Sequence, residues 1–165
     1  MGKATVYFTK EITPESLIKI YKALGKNLNG KVGVKISTGE PGGNNYLHPE
    51  LIGDLVRQLD GPIIECCTAY GGQRQDPKLH WKAIEDHGFP AIAPCDILDE
   101  FGEMDLPVEN GFHLDKDIVG DHFSNYDSIL VLSHFKGHAM GGFGGALKNI
   151  SIGIASTKGK PIFIL

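Results

Sequence analysis

Cysteine is scarce in this chain: Cys66, Cys67 and Cys95 are all it has in 165 residues, and no two form a Cys-x-x-Cys pair. Three thiols are too few for a disulfide framework and fit a reducing compartment. They are also one short of the four thiolates of an ordinary iron–sulfur cluster. No apolar run approaches the ~18–20 residues a bilayer span needs, so no membrane partner is expected. Basic excess is lacking too: 16 Lys and Arg stand against 20 Asp and Glu, a formal charge of −4. That balance gives no broad invitation to nucleic acid. The amino terminus has no apolar leader core, and Val6 stands where a myristoylation site needs Ser or Thr, so a cytoplasmic location is the expectation.

What is present reads as alternating strands and helices. "KATVYF" has the pattern of a strand, followed by a helix that Thr13 caps and Pro14 opens, with Leu17, Ile20, Tyr21 and Leu24 on one stripe. "KVGVKIS" is a second strand. His48-Pro49 opens a helix whose apolar face is Leu51, Ile52, Leu55, Val56 and Leu59. "GPIIECC" reads as a fully buried strand, and Asp76-Pro77 starts a helix through "KLHWKAIEDHG". "DSILVL" is the clearest strand, apolar on both faces. Between them "FPAIAP", "DILDEF", "MDLPV" and "GFHL" read as short extended pieces, and the closing "KGKPIFIL" is strand-like. The expected fold is α/β: a layered, Rossmann-like sandwich with a largely parallel sheet and antiparallel additions between residues 90 and 117. One domain spans residues 1–165, long enough for a real core.

Ligands of open parallel sheets gather outside the carboxyl ends of the strands. Three loops of unusual composition leave such ends: "STGEPGGNN", "CCTAYGGQR" and "SHFKGHAMGGFGGALKN". In the last, Gly141, Gly142, Gly144 and Gly145 bare the backbone for close approach of a ligand. Lys148 adds a cation, beside Asn149. The spacing matches neither a Walker A loop nor Gly-x-Gly-x-x-Gly. His134 and His138 can hold a metal or move a proton. Arg74 offers a fork to a carboxylate or phosphate, and Glu40 can ligate, accept a proton or hold a turn. His80 and His87 flank a helix and read as surface residues. His48 reads as a cap or a site member, His113 and His122 as structural, and Cys66 and Cys67 as small buried hydrophobes.

"HFKGHAMGGFGGALKNISIG", "GEPGGNNYLHP" and "TAYGGQRQDPKLHWKAIEDHGF" together resemble the signature of domain-of-unknown-function family 362, whose members are often labelled iron–sulfur-center proteins. The likeness runs over essentially the whole chain. It implies a redox-associated or cofactor-binding role, and an architecture in which this domain is the amino-terminal part before a ferredoxin-like segment. That segment would bring the 4Fe-4S cysteines this chain lacks. The run from His138 to Lys148 also looks like a loop of nickel-pincer lactate racemases. There the lysine carries a nickel nucleotide and the histidine moves the substrate proton. The racemase likeness implies that Lys148 holds the cofactor and His138 acts as acid–base residue. Together with the loop chemistry, the candidate cofactor-binding residues are Gly141, Gly142, Gly144, Gly145, Lys148, Asn149, Arg74 and Glu40, the candidate metal ligands His134 and His138, and the candidate catalytic residues His138, Lys148 and His134. The cofactor implied is a transition metal or a phosphate-containing group. Expected partners are a small anion and either an electron-transfer protein or a second copy of the chain. A racemase-like or lyase enzyme using a nickel-pincer-type nucleotide is the second reading, and a non-enzymatic domain that docks to an electron-transfer partner the third.

Overall fold

In the computed structural model, residues 3–139 and 141–163 are described. Two βαβ units build the centre: β1 (Val32–Lys35), α2 (Pro49–Leu59), β2 (Ile63–Glu65), α3 (Pro77–Asp86) and β3 (Cys95–Ile97) follow one another, after α1 (Pro14–Ala23). β6 (Ser128–Val131) then returns to lie beside β1, so the sheet runs β3-β2-β1-β6, parallel throughout. The antiparallel ribbon β4 (Glu103–Pro107) and β5 (Lys116–Gly120) supplies the expected addition. A small hairpin, β7 (Lys136–His138) with β8 (Gly142–Gly144), precedes the short α4 (Ala146–Ile150).

Helix starts follow local chemistry. Thr13 and Ser16 cap each other at α1, with Pro14 in the first turn. Asp76 accepts from the Leu79 N–H at α3. Each removes an otherwise unpaired backbone donor. Successive strand residues point to opposite faces, and the core divides accordingly. Val34, Ile36, Ile63 and Ile97 pack under α1, α2 and α3 with Ile52, Leu55, Val56, Ile84 and Phe89. Ile64 and Cys66 face the other way, against Leu98, Val119 and Ile154, joined by Met104 and Leu106 of β4 and Ile150 of α4. Gly33 is needed where β1 meets this second core: a Cβ there would lie 2.7 Å from Ile64 Cδ1 and 3.1 Å from the Tyr126 ring.

Several expectations need correction. "KATVYF" forms no strand; Val6 and Phe8 are 84% and 80% exposed. It pairs with neither edge of the sheet, β3 or β6, and strand propensity without a paired neighbour makes no strand. "FPAIAP" contains a 3-10 turn at 89–91, and "GFHL" is irregular. Cys95–Ile97 is the edge strand of the main sheet rather than a peripheral piece. Of "KGKPIFIL", residues 160–163 form a 3-10 turn and the last two lie outside the described residues.

Candidate functional site

The order of the sheet locates a crevice. α2, which follows β1, packs on one face, while α4, which follows β6, packs on the other. Neighbouring strands whose connections leave in opposite directions open a gap at their carboxyl ends, the usual ligand position in such sheets. The loops after β1 and β6 flank that gap, and the loop after β2 lies next to it.

Buried ion chemistry joins the first two loops. Glu65, the last residue of β2, is 5% exposed. Its Oε1 accepts from Arg74 Nη1 at 3.0 Å. Its Oε2 accepts from Thr38 N–H at 2.9 Å and Thr38 Oγ1–H at 2.5 Å, with His80 Nε2 at 3.3 Å. Burial alone would raise this carboxyl; His80, Arg74 and Lys35 more than offset it and hold it far below the usual range. Arg74 Nη2 reaches on to Glu40 Oε1 at 2.5 Å and Tyr70 Oη at 2.9 Å, and Tyr70 donates to Glu40 at 2.5 Å. Glu40 and Arg74, both expected in the site, are thus paired with each other. His87 Nδ1 donates to Thr38 O at 2.7 Å, with its ring stacked on Tyr46. His80 and His87 are therefore not surface residues: His80 is fully buried and His87 half-buried. Their α3 face turns inward.

Lys35 crosses the crevice. It is 1% exposed, and its amine donates to Ile36 O and Asn149 Oδ1, both at 2.7 Å. Asn149 is itself held by Nδ2 bonds to Ser133 Oγ at 2.8 Å and Leu132 O at 3.4 Å. The loop after β6 is thereby tied to β1. Burial holds the Lys35 amine below its ordinary range despite the attraction of Glu65.

Beside Asn149, Lys148 Nζ lies 2.6 Å from His138 Nε2. The Gly141 N–H donates to His138 Nδ1 at 3.1 Å. Both ring nitrogens of His138 are engaged, Nδ1 by the Gly141 N–H and Nε2 by the Lys148 amine. Burial and Lys136 lower the Lys148 amine; burial, Lys148 and Lys136 lower the His138 ring. His134 is half-buried just before the hairpin, its ring lowered by burial and by Lys136. Gly142 turns the hairpin at φ 68°. Gly144 opposes Lys136, Gly145 precedes α4, and Gly141 is the donor to His138. The ribbon is two-faced: Lys136 and His138 alternate with Gly137, and Gly137 opposes Phe143. Phe143 stacks with Phe135 on the face away from the amine, at 6.2 Å between centroids. The two rings are 64% and 78% exposed.

A family model described as Domain of unknown function (DUF362) matches residues 32–164. The chain belongs to that family. The DUF362 match spans the sheet, the buried ion cluster and the hairpin, leaving α1 before it. The comparisons with curated proteins and with solved structures gave no match. Among the described residues no helix is long and apolar enough to cross a membrane. None of their His, Cys, Asp and Glu side chains gather as three or more able to hold a metal ion.

Lys35, Thr38, Glu65, Tyr70 and His80 are site members that the sequence reasoning missed. Two had a signal: a lysine inside "VGVKIS" and a glutamate inside "PIIECC" are charges within buried strands, which persist only when partnered.

Proposed function

We propose that this domain binds a small anionic, phosphate-bearing ligand at the β1–β6 crevice, with Lys148 and His138 as its contacts. The observation that carries the reading is the Lys148–His138 contact at the switch point, with Lys136 on the same face. It gains weight from charge: all 20 acidic residues precede position 128, while Lys136, Lys148, Lys158 and Lys160 follow it. Lys158 is taken by Glu103 and Lys160 by Ala155 O, but no carboxylate pairs with Lys136 or Lys148 among the described residues. An arriving anion favours the charged forms of both groups, so binding takes up a proton and weakens as pH rises through the lowered Lys148 value.

Titration calorimetry with inorganic phosphate and nucleoside phosphates, on wild type and Lys148→Ala, tests it. Wild type should bind with proton uptake, seen as an enthalpy that varies with buffer ionisation heat, and the variant should lose about tenfold or more in affinity. Equal traces from the two proteins would remove the reading.

A resident iron–sulfur cluster does not fit this chain. Cys66 and Cys67 follow the carboxyl end of β2 whereas Cys95 begins β3, and burial pushes all three thiols up to about 12. For a metal held by side chains alone, the loop offers His134 and His138, with no third His, Cys, Asp or Glu gathered beside them among the described residues. A docking role for the opposite face of the hairpin draws on the exposed Phe135 and Phe143 pair. Light scattering tests its homo-oligomer form, and pull-down with a ferredoxin-like protein tests an electron-transfer partner.

A further inference from the structure

Arg74 is 5% exposed, yet its Nε–H has no hydrogen-bond partner. Nε and Nη2 form one edge of the guanidinium, a two-donor fork matched to two oxygens of one carboxylate or phosphate. Nη2 is shared by Glu40 Oε1 and Tyr70 Oη, and neither reaches Nε. Nη1, on the other side, is committed to Glu65. A second buried atom without a partner, Thr68 Oγ1, belongs to the same loop, and the Thr68 N–H donates to Arg74 O at 3.0 Å. Glu40 is the exposed member of the set: its side chain is 53% exposed, so rotation into solvent leaves Nη2 with Tyr70 Oη alone and moves no backbone. Glu65 is 7% exposed at the side chain and has no such freedom.

We infer that the Nε–Nη2 edge of Arg74 is an oxyanion site of its own, occupied by Glu40 as an internal stand-in until a small carboxylate or phosphate displaces it. The incoming anion makes both bonds of the fork where Glu40 makes one, and Tyr70, released from Glu40, turns its hydroxyl to the newcomer. Glu40 therefore sets a threshold: only an anion presenting two oxygens gains over the residue it replaces. The inference is independent of the Lys148 reading, because none of its groups belongs to the hairpin.

Arg57 and Arg74 are the chain's two arginines, so a proton–nitrogen NMR spectrum shows two Nε–Hε signals, with the surface-paired Arg57 as control. Acetate and inorganic phosphate are titrated separately into wild type, Glu40→Gln, and Glu40→Gln with Lys148→Ala. The Arg74 signal should move saturably, Glu40→Gln should bind about fivefold tighter than wild type, and Lys148→Ala should change nothing at this signal. Saturation by acetate assigns the site to carboxylates, and by phosphate alone to phosphates. Equal affinities in wild type and Glu40→Gln would overturn the inference. So would an Arg74 signal that stays still in Glu40→Gln at the highest concentrations of both anions. Glu40→Gln alters an exposed side chain of the same shape and leaves the buried Glu65 pair standing, so loss of folding does not cloud the result. Failure of the Lys148 reading looks different: calorimetric phosphate traces would be identical in wild type and Lys148→Ala while the Arg74 signal still moved.

Discussion

Replacing Glu65 by Gln perturbs the most connected buried charge in the domain. Gln keeps the volume and one acceptor oxygen, but its amide nitrogen can only donate. One of the two ends now faces groups that donate as well, namely the Thr38 N–H and hydroxyl on one side and the Arg74 guanidinium on the other. Arg74 is left buried with half-exposed Glu40 as its remaining carboxylate. Breaking a buried pair by removing one partner costs about 3–5 kcal/mol, against a total stability of about 5–15 kcal/mol for a domain of this kind. The variant should therefore lose about a fifth of its stability or more, read as a lower urea midpoint at unchanged slope. Glu65→Gln with Arg74→Met removes both charges and should recover part of that loss, giving a coupling well above the ~0.5 kcal/mol of independent sites. In wild type the carboxyl is depressed, so its contribution is complete above the unfolded value of about 4.3 and is lost as pH falls below it; the variant should lack this acid limb. A loss under about 1 kcal/mol, with additive double-variant energies, would refute the assignment of Glu65 as the anchor of these loops.

Lys35→Met should flatten the alkaline side of the stability profile. The Lys35 amine is lowered in the fold, so the unfolded chain binds more protons and wild-type stability rises with pH up to about 10.4; urea titrations at several pH values should show that rise in wild type and not in the variant. Gly33→Ala should cost about 1–3 kcal/mol by overpacking, since its methyl would sit 2.7 Å from Ile64 Cδ1 and close to Tyr126; thermal melts read the loss, and an unchanged melting temperature would mean that the second core yields at that point.

The layered α/β order was legible because it depends on local rules. The caps at Thr13 and Asp76 and the stripe Ile52–Leu55–Val56 announce helices wherever they stand. β3 was harder to read, because a three-residue edge strand has no periodicity to display, and "KATVYF" misled because its pairing depends on neighbours the local pattern does not contain. The site was legible in its glycines, Arg74, Glu40, His138 and Lys148, the residue types whose chemistry is visible alone. It was not legible in His80 and His87, whose burial depends on which face of α3 meets the sheet. Nor could Glu40 be matched to Arg74 in advance, since 34 residues and a helix separate them in the chain.

The strand pair that aims Lys148 has its exposed rings on the reverse side. A protein that gripped Phe135 and Phe143 would stiffen the same three rungs that place His138, without touching the anion proposed to bind there. Thermodynamic reciprocity then applies: whatever factor such a grip adds to ligand affinity, the ligand must add to the grip. If the proposed anion binds there, one thin ribbon serves as both sensor and clasp.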